Sequence, residues 1–202
     1  KSILEKALNL DKNNHNIRVN LANNCIALGD PANAEKLIDK IKSPEALNVM
    51  GICKYIQRNF EDAEYYFSET VKSSPHFAGG HENLALTLLH LKKFKRGWKE
   101  YLWRDKNNVQ NIKKRNLKTP EWDGNKIKNK ILLIYSEQGY GDTIQFIRFI
   151  KNIEKLNISV IFACTSDLHA LIKNAFDGDL KIVNFSEFPR HDFHLSLLNL
   201  PM

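Results

Sequence analysis

The residues of this chain that could do chemistry lie around two glycines in its second half. An apolar run rich in β-branched side chains, Ile131–Tyr135, predicts a strand buried on both faces. Gly139 and Gly141 follow it, and apolar residues then recur near helical spacing, so we expect a helix to begin at about Asp142 and Thr143. A strand, a glycine-containing turn and a helix leave backbone N–H groups pointing at an anion.

This turn contains the predicted ligand site. It would lie at the carboxyl edge of a sheet, and its glycines allow positive φ and a close approach of a ligand to the backbone. The N–H groups of residues 141–143 could hold a diphosphate or a developing oxyanion. Asp142 could be the N-cap residue of this helix. Its ionised carboxylate would repel a phosphate bound at the same helix end. The predicted binding residues are Gln138, Gly139, Tyr140, Gly141 and Thr143.

Other ligand motifs fit less well. A dinucleotide fingerprint needs a third glycine or alanine where Ile144 stands, and no Gly-Lys-Ser/Thr follows the loop, which excludes a Walker A site. An acidic residue for a ribose is only loosely placed, at Asp167. His191, Asp192 and His194 would need a further ligand that the sequence does not identify, so we expect no metal site.

The rest of the second half alternates predicted strands and helices. Residues 159–165, 181–185 and 193–198 predict strands, residues 166–176 predict a helix, and Gly178 would turn the chain before the third strand. Such alternation favours a parallel sheet with right-handed crossovers. We expect it to be the first part of a larger α/β domain.

A repeated pattern organises the first half of the chain. Three residue pairs mark it, namely Leu21-Ala22, Met50-Gly51 and Leu84-Ala85. A small residue follows 13 positions after the start of each pair, and a large one follows four positions later. These residues are Ala34, Ala63 and Gly97, then Ile38, Phe67 and Tyr101. The pattern resembles the tetratricopeptide repeat (TPR), whose period is about 34 residues. It predicts a half repeat and then three helix pairs over residues 1–104.

The resemblance to TPR proteins also implies a peptide-binding groove. The first helix of each pair would line the concave side, where Asn20 and Asn83 precede their marker pairs by one residue. An amide there can hydrogen-bond both the N–H and the C=O of an extended peptide. Val49 takes the corresponding place in the middle repeat and would interrupt this row. The alternative is that the asparagines are ordinary surface residues.

Positive charge is concentrated between the two halves. Residues 92–130 contain fourteen Lys/Arg and four Asp/Glu, a net charge of +10 within a chain of net charge +7. Such a segment could attract phosphates or an acidic partner, or it could be a solvated surface. Binding of nucleic acid is unlikely because no recognisable module interleaves aromatic and basic residues.

Residues 105–130 are predicted to form a polar junction between the two halves. It contains the turn-like sequence PEWDG at residues 120–124. Trp98, Trp103 and Trp122 lie close together in the sequence, and we interpret them as a staple that fixes the helical array against the α/β domain. A stacking platform for a sugar or base is the alternative.

Three runs give the resemblance its detail: GWKEYLWR, PEWDG and KILLIYSEQGYGDTIQFIRFI. They resemble bacterial TPR-containing proteins that end in a glycosyltransferase-like domain. That domain is similar to the heptosyltransferases and to protein O-GlcNAc transferase, which have the two-lobed GT-B fold. The resemblance implies a TPR array (α) followed by a partial Rossmann-like α/β lobe over residues 131–202.

The same resemblance implies a function. The repeats would present an acceptor, a protein or peptide, and the α/β lobe would form the acceptor side of a transferase cleft. The nucleotide-sugar donor would bind mainly to a second lobe that this chain lacks. Asp142 would be the general base that takes the proton of the acceptor hydroxyl, with Glu137 as the second candidate. The alternative is a TPR scaffold without enzymatic activity and with a degenerate α/β appendage.

Composition narrows the class of protein. No apolar run approaches the roughly 20 residues that span a bilayer, and no signal peptide opens the chain, so we expect a cytoplasmic protein. The chain begins with Lys1 in what reads as half a repeat, which suggests a fragment. Cys25, Cys53 and Cys164 lie on apolar patterns and form no CxxC pair, so we expect small buried thiols.

Overall fold

The computed structural model describes residues 2–106, 117–154, 156, 158–176, 180–186 and 188–201. It divides into two compact units, residues 1–110 and 111–202. The predicted limits of the junction, 105 and 130, stay predictions, because residues 107–116 lie outside the described part of the chain. Gly178, predicted to turn the chain before the third strand, also lies outside it.

Over residues 2–106, the described part of the first unit, the regular structure consists of helices. Their bounds are α1 Ser2–Leu10, α2 His15–Ala27, α3 Pro31–Ile38, α4 Pro44–Ile56, α5 Phe60–Ser73, α6 Ala78–His90 and α7 Phe94–Tyr101, with a 3-10 helix at Leu102–Lys106. Within the pairs α2/α3, α4/α5 and α6/α7, each helix packs against the next. One helix and three pairs are the half repeat and three full repeats that the sequence predicts, so the helical part of the predicted fold is confirmed.

Local sequence explains where several of these helices begin. The side chains of Asn14, Asp30, Ser43 and Asn59 each accept a hydrogen bond from the backbone N–H three residues later. Such N-caps satisfy one of the four backbone donors that a helix start leaves without a partner. Proline at the first positions of α3 and α4 reinforces two of these starts, since its φ already suits a helix.

The small residues of the repeat pattern let the paired helices approach closely. Ala34 and Ala63 are fully buried. Gly51 on α4 lies against Phe67 on α5, and a Cβ added to the glycine would come within 2.6 Å of the phenyl ring. Phe67 fills this space with 1% of its surface exposed. The spacing of small and large residues therefore determines how closely adjacent helices pack.

A four-stranded parallel sheet forms the centre of the second unit. Its strands are β1 Ile131–Tyr135, β2 Ser159–Ala163, β3 Lys181–Val183 and β4 Phe193–Ser196, in the order β3-β2-β1-β4. The helices α8 Tyr140–Phe146, α9 Ile150–Glu154 and α10 His169–Ala175 connect them, with short 3-10 helices at Ile147–Phe149, Ser166–Leu168 and Leu197–Asn199. The predicted partial Rossmann-like parallel sheet is confirmed.

Strand β1 is buried on both faces, as its apolar run predicts. Leu133 packs with Ile161 and Ala163 of β2 on one face. Its neighbours Leu132 and Ile134 must point to the opposite face, because side chains alternate along a strand, and both are fully buried. This central strand therefore holds the residues that follow it in a fixed position.

The segment before β1 has a different structure from the one that its sequence predicts. His194 of β4 donates its backbone N–H to the carbonyl of Pro120 (3.1 Å), and Trp122 donates its own to the carbonyl of His194 (2.9 Å). Glu121 thus forms a parallel bridge with His194. The prediction of a simple turn is wrong for residues 120–122, because these backbone groups satisfy the outer edge of β4.

All three cysteines are free and buried, as predicted. Burial raises the pKa of the Cys53 and Cys164 thiols to about 11, so both are neutral at pH 7 and poor nucleophiles. Among the helices that the structure describes, none is long and apolar enough to cross a membrane.

Candidate functional site

The loop that follows β1 begins its helix earlier than predicted. Gly139 is the N-cap residue and α8 starts at Tyr140, so Asp142 lies in the first turn and is not the cap. Thr143 turns inward, and both its backbone N–H and its hydroxyl donate to the carbonyl of Gly139 at 3.1 Å. The N–H of Thr143 is therefore engaged within the loop, contrary to its predicted role in binding an anion.

Neither glycine of the loop uses the positive φ that a glycine allows. Gly139 has a φ of −66°, and Gly141 is a helical residue without positive φ. A Cβ at Gly141 would meet nothing within 4 Å, and one at Gly139 would meet only a carboxylate oxygen of Asp142 at 4.0 Å. Because these two exposed positions have no side chains, the backbone of the loop is accessible to solvent.

A small cleft with a cavity volume of about 80 Å³ opens beside this loop. Its walls come from the residues that directly follow β1 and β2, together with one residue that follows β3. The residues that line it are Ser136, Glu137, Gln138, Tyr140, Thr143, Thr165 and Phe185. Four of them were predicted as site residues from the sequence. The cleft lies at the carboxyl edge of the parallel sheet, where α/β proteins bind ligands.

The two candidate carboxylates are placed differently. Glu137 lines the cleft directly and is half-buried. Asp142 does not belong to the lining, and its Oδ2 turns back towards Gly139 within the loop. The carboxylate that the resemblance puts second is thus the one that a ligand in this cleft would meet.

Two residues that follow β2, Thr165 and Asp167, lie beside the glycine loop. The Tyr140 hydroxyl donates to Oδ2 of Asp167 at 2.5 Å, and this hydrogen bond raises the pKa of the phenol because the carboxylate favours its protonated form. Thr165 belongs to the wall itself. Thr165 and Asp167 both follow β2 in the sequence. They lie beside the glycine loop because the sheet order places β2 next to β1.

A second cleft, with a cavity volume of about 70 Å³, lies on the helical unit. It is lined by Ile52 and Tyr55 of α4, Phe67 of α5, and Asn83 and Leu86 of α6. Its surface is almost wholly apolar except for the Asn83 amide. Leu86 lies at its edge with 44% of its surface exposed.

The row of asparagines predicted for this face has a different register. Val49 is buried in the core with Val19 and Cys53, because its side chain points between the helices. The preceding residue, Asn48, is half-buried and accepts a hydrogen bond from the Asn83 amide at 3.0 Å. Asn48, and not Val49, is thus the residue of α4 that lies beside Asn83, and a peptide groove on this face stays a prediction.

Asn20 is exposed on α2, in the repeat before this pair. The structure gives it a place on the surface but no described hydrogen bond that assigns it a role. Its membership of a peptide groove stays a prediction.

Part of the basic charge between the two halves is neutralised. Lys93 and Arg96 of α7 both bind the Glu64 carboxylate of α5, and Lys130 binds Asp192. These pairs are consistent with a solvated surface of the protein. The role of the remaining lysines and arginines as an attractor for phosphates or an acidic partner stays a prediction.

The residues of the His191–His194 motif have structural partners. Asp192 accepts hydrogen bonds from Lys130 and from the backbone N–H of Ile131 at 2.9 Å, and these lower the pKa of its carboxyl. His194 Nδ1 pairs with the Thr119 hydroxyl at 3.0 Å, while burial lowers the pKa of the ring. This motif ties the start of β1 and the edge of β4 together.

The tryptophans make contacts within their own units. The ring of Trp103 stacks on that of His81 at 3.9 Å with an interplanar angle of 3°, and Trp98 packs edge-on against Tyr101. Trp122 is buried in the second unit and donates its indole N–H to a carbonyl three residues later. Their predicted role as a staple between the units, or as a stacking platform, stays a prediction.

Comparison with known proteins gives structural similarity without a family assignment. A crystal structure of MamA matches with a TM-score of 0.46 and 18% identity, over 54% of this chain and 67% of that chain. PilW, a type IV pilus biogenesis factor, matches with a TM-score of 0.46 and 24% identity, over 51% and 52% of the two chains.

A mutant O-GlcNAc transferase of Thermobaculum terrenum matches with a TM-score of 0.43 and 13% identity. The match covers 86% of this chain and 42% of that one, so the chain spans less than half of the transferase. No protein-family model matches the chain. No curated protein matches it either. The evidence for the fold is therefore the arrangement of the helices and strands in this chain.

Proposed function

We propose that this chain belongs to a TPR-linked glycosyltransferase of the GT-B type. In this proposal the α/β unit forms the acceptor side of the transfer cleft, and the helical repeats present the acceptor, a protein or peptide. A nucleotide sugar would be the donor, bound mainly by a second lobe outside these residues. The proposal rests on the cleft beside the glycine loop, which combines an edge-of-sheet position with a carboxylate, an amide and hydroxyl groups.

The chemistry would be a displacement at the anomeric carbon of the donor. A carboxylate of the loop would remove the proton of the acceptor hydroxyl as that oxygen attacks. Glu137 is suitable by position because it lines the cleft, and Asp142 lies in the same loop. Among the described residues that line the cleft, Glu137 is the carboxylate that could take this proton.

Incubation of the whole gene product with nucleotide sugars tests the proposal. We expect one donor of a panel of UDP-, GDP- and CDP-sugars to be hydrolysed slowly alone and faster when an acceptor is added. Release of the nucleoside diphosphate is the measurement. If no donor in the panel is consumed above the buffer rate, the chain does not belong to a transferase.

A peptide-binding scaffold is the second candidate function, and the cleft on α4, α5 and α6 favours it. The apolar pocket could hold one side chain of an extended peptide, while the amide of Asn83 bonds to its backbone. This function does not exclude the first, because the repeats could select the acceptor.

Peptides selected from a random display library against this chain test the groove. We expect Asn83→Ala to weaken their binding by about 5- to 30-fold, since one amide hydrogen bond is lost at a half-buried position. Fluorescence anisotropy of a labelled peptide gives the Kd. Lys72→Ala, at an exposed position of α5, is the control and should leave the Kd unchanged. Equal affinity for both variants would place the peptide site elsewhere.

A further inference from the structure

The cleft beside the glycine loop is narrow for a binding site. Its cavity volume is about 80 Å³. By comparison, a protein cavity that binds one benzene ring has a volume of roughly 150 Å³. Pockets for drug-sized ligands are larger still, on the order of 300–1,000 Å³. An acceptor group could therefore enter this cleft only if part of its wall moves.

Most of the wall is held by the fold. The backbone N–H of Ser136 donates to the carbonyl of Ala163 in β2 at 2.9 Å. The backbone N–H and the hydroxyl of Thr143 both donate to the carbonyl of Gly139 at 3.1 Å. Phe185 packs against the apolar core that β1 and β2 form. Movement of any of these residues would disturb the sheet or the start of α8.

Tyr140 is the part of the wall that can move without such a disturbance. Its side chain is 52% exposed, and it has a glycine on each side. A Cβ at Gly141 would meet nothing within 4 Å, and the nearest atom to one at Gly139 would be 4.0 Å away. The Tyr140 hydroxyl donates to Oδ2 of Asp167 at 2.5 Å. Both groups are exposed, so water can replace either partner when this bond breaks.

This hydrogen bond links the loop after β1 to the turn after β2. The bond to Asp167 raises the pKa of the Tyr140 phenol, and the Thr165 side chain opposes this effect, so Thr165 lies close to the phenol. Oγ1 of Thr165 is closed to solvent and meets no partner at hydrogen-bonding geometry among the described residues. Buried polar atoms normally have a partner. A state in which Tyr140 moves away would give this hydroxyl access to water or to a ligand.

We propose that Tyr140 is a latch on this cleft. In the closed state its hydroxyl binds Asp167 and keeps the cleft narrow. In the open state the ring rotates into solvent and makes room for an acceptor group beside Thr165. A ligand that binds the open state alone would shift the population towards it. The inference rests on the proposed function, because a transferase cleft must admit its acceptor.

The reaction rate of a thiol inside the cleft measures how often the latch opens. Ser136→Cys changes one atom at a wall position that is 6% exposed. The whole 202-residue chain with this change is mixed with dithiodipyridine, an uncharged reagent that releases a coloured thiopyridone. Exposed side chains change rotamer within nanoseconds, so the reaction rate is proportional to the open fraction. The native Cys164 is buried in the same unit and reports on unfolding.

Variants made in this Ser136→Cys chain test the latch. Tyr140→Phe is expected to raise the reaction rate by about 5- to 20-fold, because the closed state loses a hydrogen bond to a carboxylate. Asp167→Asn is expected to raise it by about 2- to 5-fold, since an amide oxygen accepts a weaker bond than a carboxylate. In the double variant the two effects should not multiply, because both act on one bond. Tyr65→Phe, at an exposed position of α5, is the control and should leave the rate unchanged.

Fluorine NMR of the chain labelled with fluorotyrosine is a second measurement that needs no added thiol. The Tyr140 signal, assigned by its loss in Tyr140→Phe, should shift in Asp167→Asn. An unchanged reaction rate in Tyr140→Phe, or an unchanged signal in Asp167→Asn, would show that the bond does not hold the ring. Reaction of the introduced thiol and Cys164 at one common rate would mean that only unfolding opens the cleft. Either result would overturn the proposal.

Failure of the latch and failure of the proposed function give different results. Latch-dependent thiol reaction without donor consumption by the whole gene product would reject the enzyme and keep the latch. Donor consumption together with a reaction rate that does not respond to Tyr140→Phe would keep the enzyme and reject the latch. Circular dichroism of each variant establishes that it folds.

Discussion

Replacement of Glu137 by glutamine is expected to lower the rate of glycosyl transfer by about 10²- to 10⁴-fold, the usual contribution of a positioned general base. The amide keeps the size and shape of the carboxylate but cannot take the proton of the acceptor. Glu137 follows β1, whose position is fixed by burial on both faces, and its side chain lines the cleft. The Glu137 carboxylate is therefore attached to a rigid part of the fold.

Asp142→Asn is the companion of this variant. Because Asp142 turns towards Gly139 and does not line the cleft, we expect a loss in kcat of less than about 10-fold, well below the range for a general base. Initial rates of nucleoside diphosphate release by the whole gene product, with saturating donor and acceptor, give both values. A large loss for Asp142→Asn with an active Glu137→Gln would assign the base to Asp142, as the sequence resemblance implies, and would refute the assignment from the cleft.

The second large effect concerns stability of the helical array. Phe67→Ala is expected to lower the free energy of unfolding by about 3–5 kcal/mol, as is usual for removal of a buried phenyl ring. Phe67 is 1% exposed and packs with Ala63, Leu84 and Leu88 in one cluster between α5 and α6. Its loss would leave a cavity next to Gly51, where no side chain exists to fill the space.

Denaturant unfolding followed by circular dichroism at 222 nm measures this change. Tyr65→Ala removes an aromatic ring from the same helix at a position that is 61% exposed, and it should cost about 1 kcal/mol or less. Equal losses for Phe67→Ala and Tyr65→Ala would contradict the packing between α4 and α5. Each repeat of such an array is stabilised by its neighbours. The whole unfolding curves of the two variants are therefore compared, and not their midpoints alone.

The architecture follows closely from local sequence because its signals are local or periodic. Asn14, Asp30, Ser43 and Asn59 set helix starts through bonds that span three residues. The spacing of Ala34 and Ala63 from their marker pairs fixes where helices may approach. The apolar run of β1 needs no partner to be recognised, since only burial on both faces suits it.

The register of side chains at the candidate sites was decided by packing. A helix turns by about 100° per residue, so a shift of one position exchanged Val49 for Asn48 on the face that α6 meets. The start of α8 at Tyr140 likewise depends on Thr143 bonding to Gly139, and this leaves Asp142 away from the cleft. Several neighbouring residues fit the sequence pattern at each candidate site. Packing against adjacent helices and strands decides which of them faces that site.

The sequence by itself determined the two kinds of architecture, the repeat spacing, the glycine loop after a buried strand and four of the residues that line its cleft. Only the tertiary structure placed β2 beside β1 and brought Thr165 and Asp167 to that loop. It also paired residues 120–122 with β4, which the sequence assigned to a turn. The physical reason is distance along the chain: 27 residues separate Tyr140 from Asp167, and no local pattern encodes which strand will lie next to which.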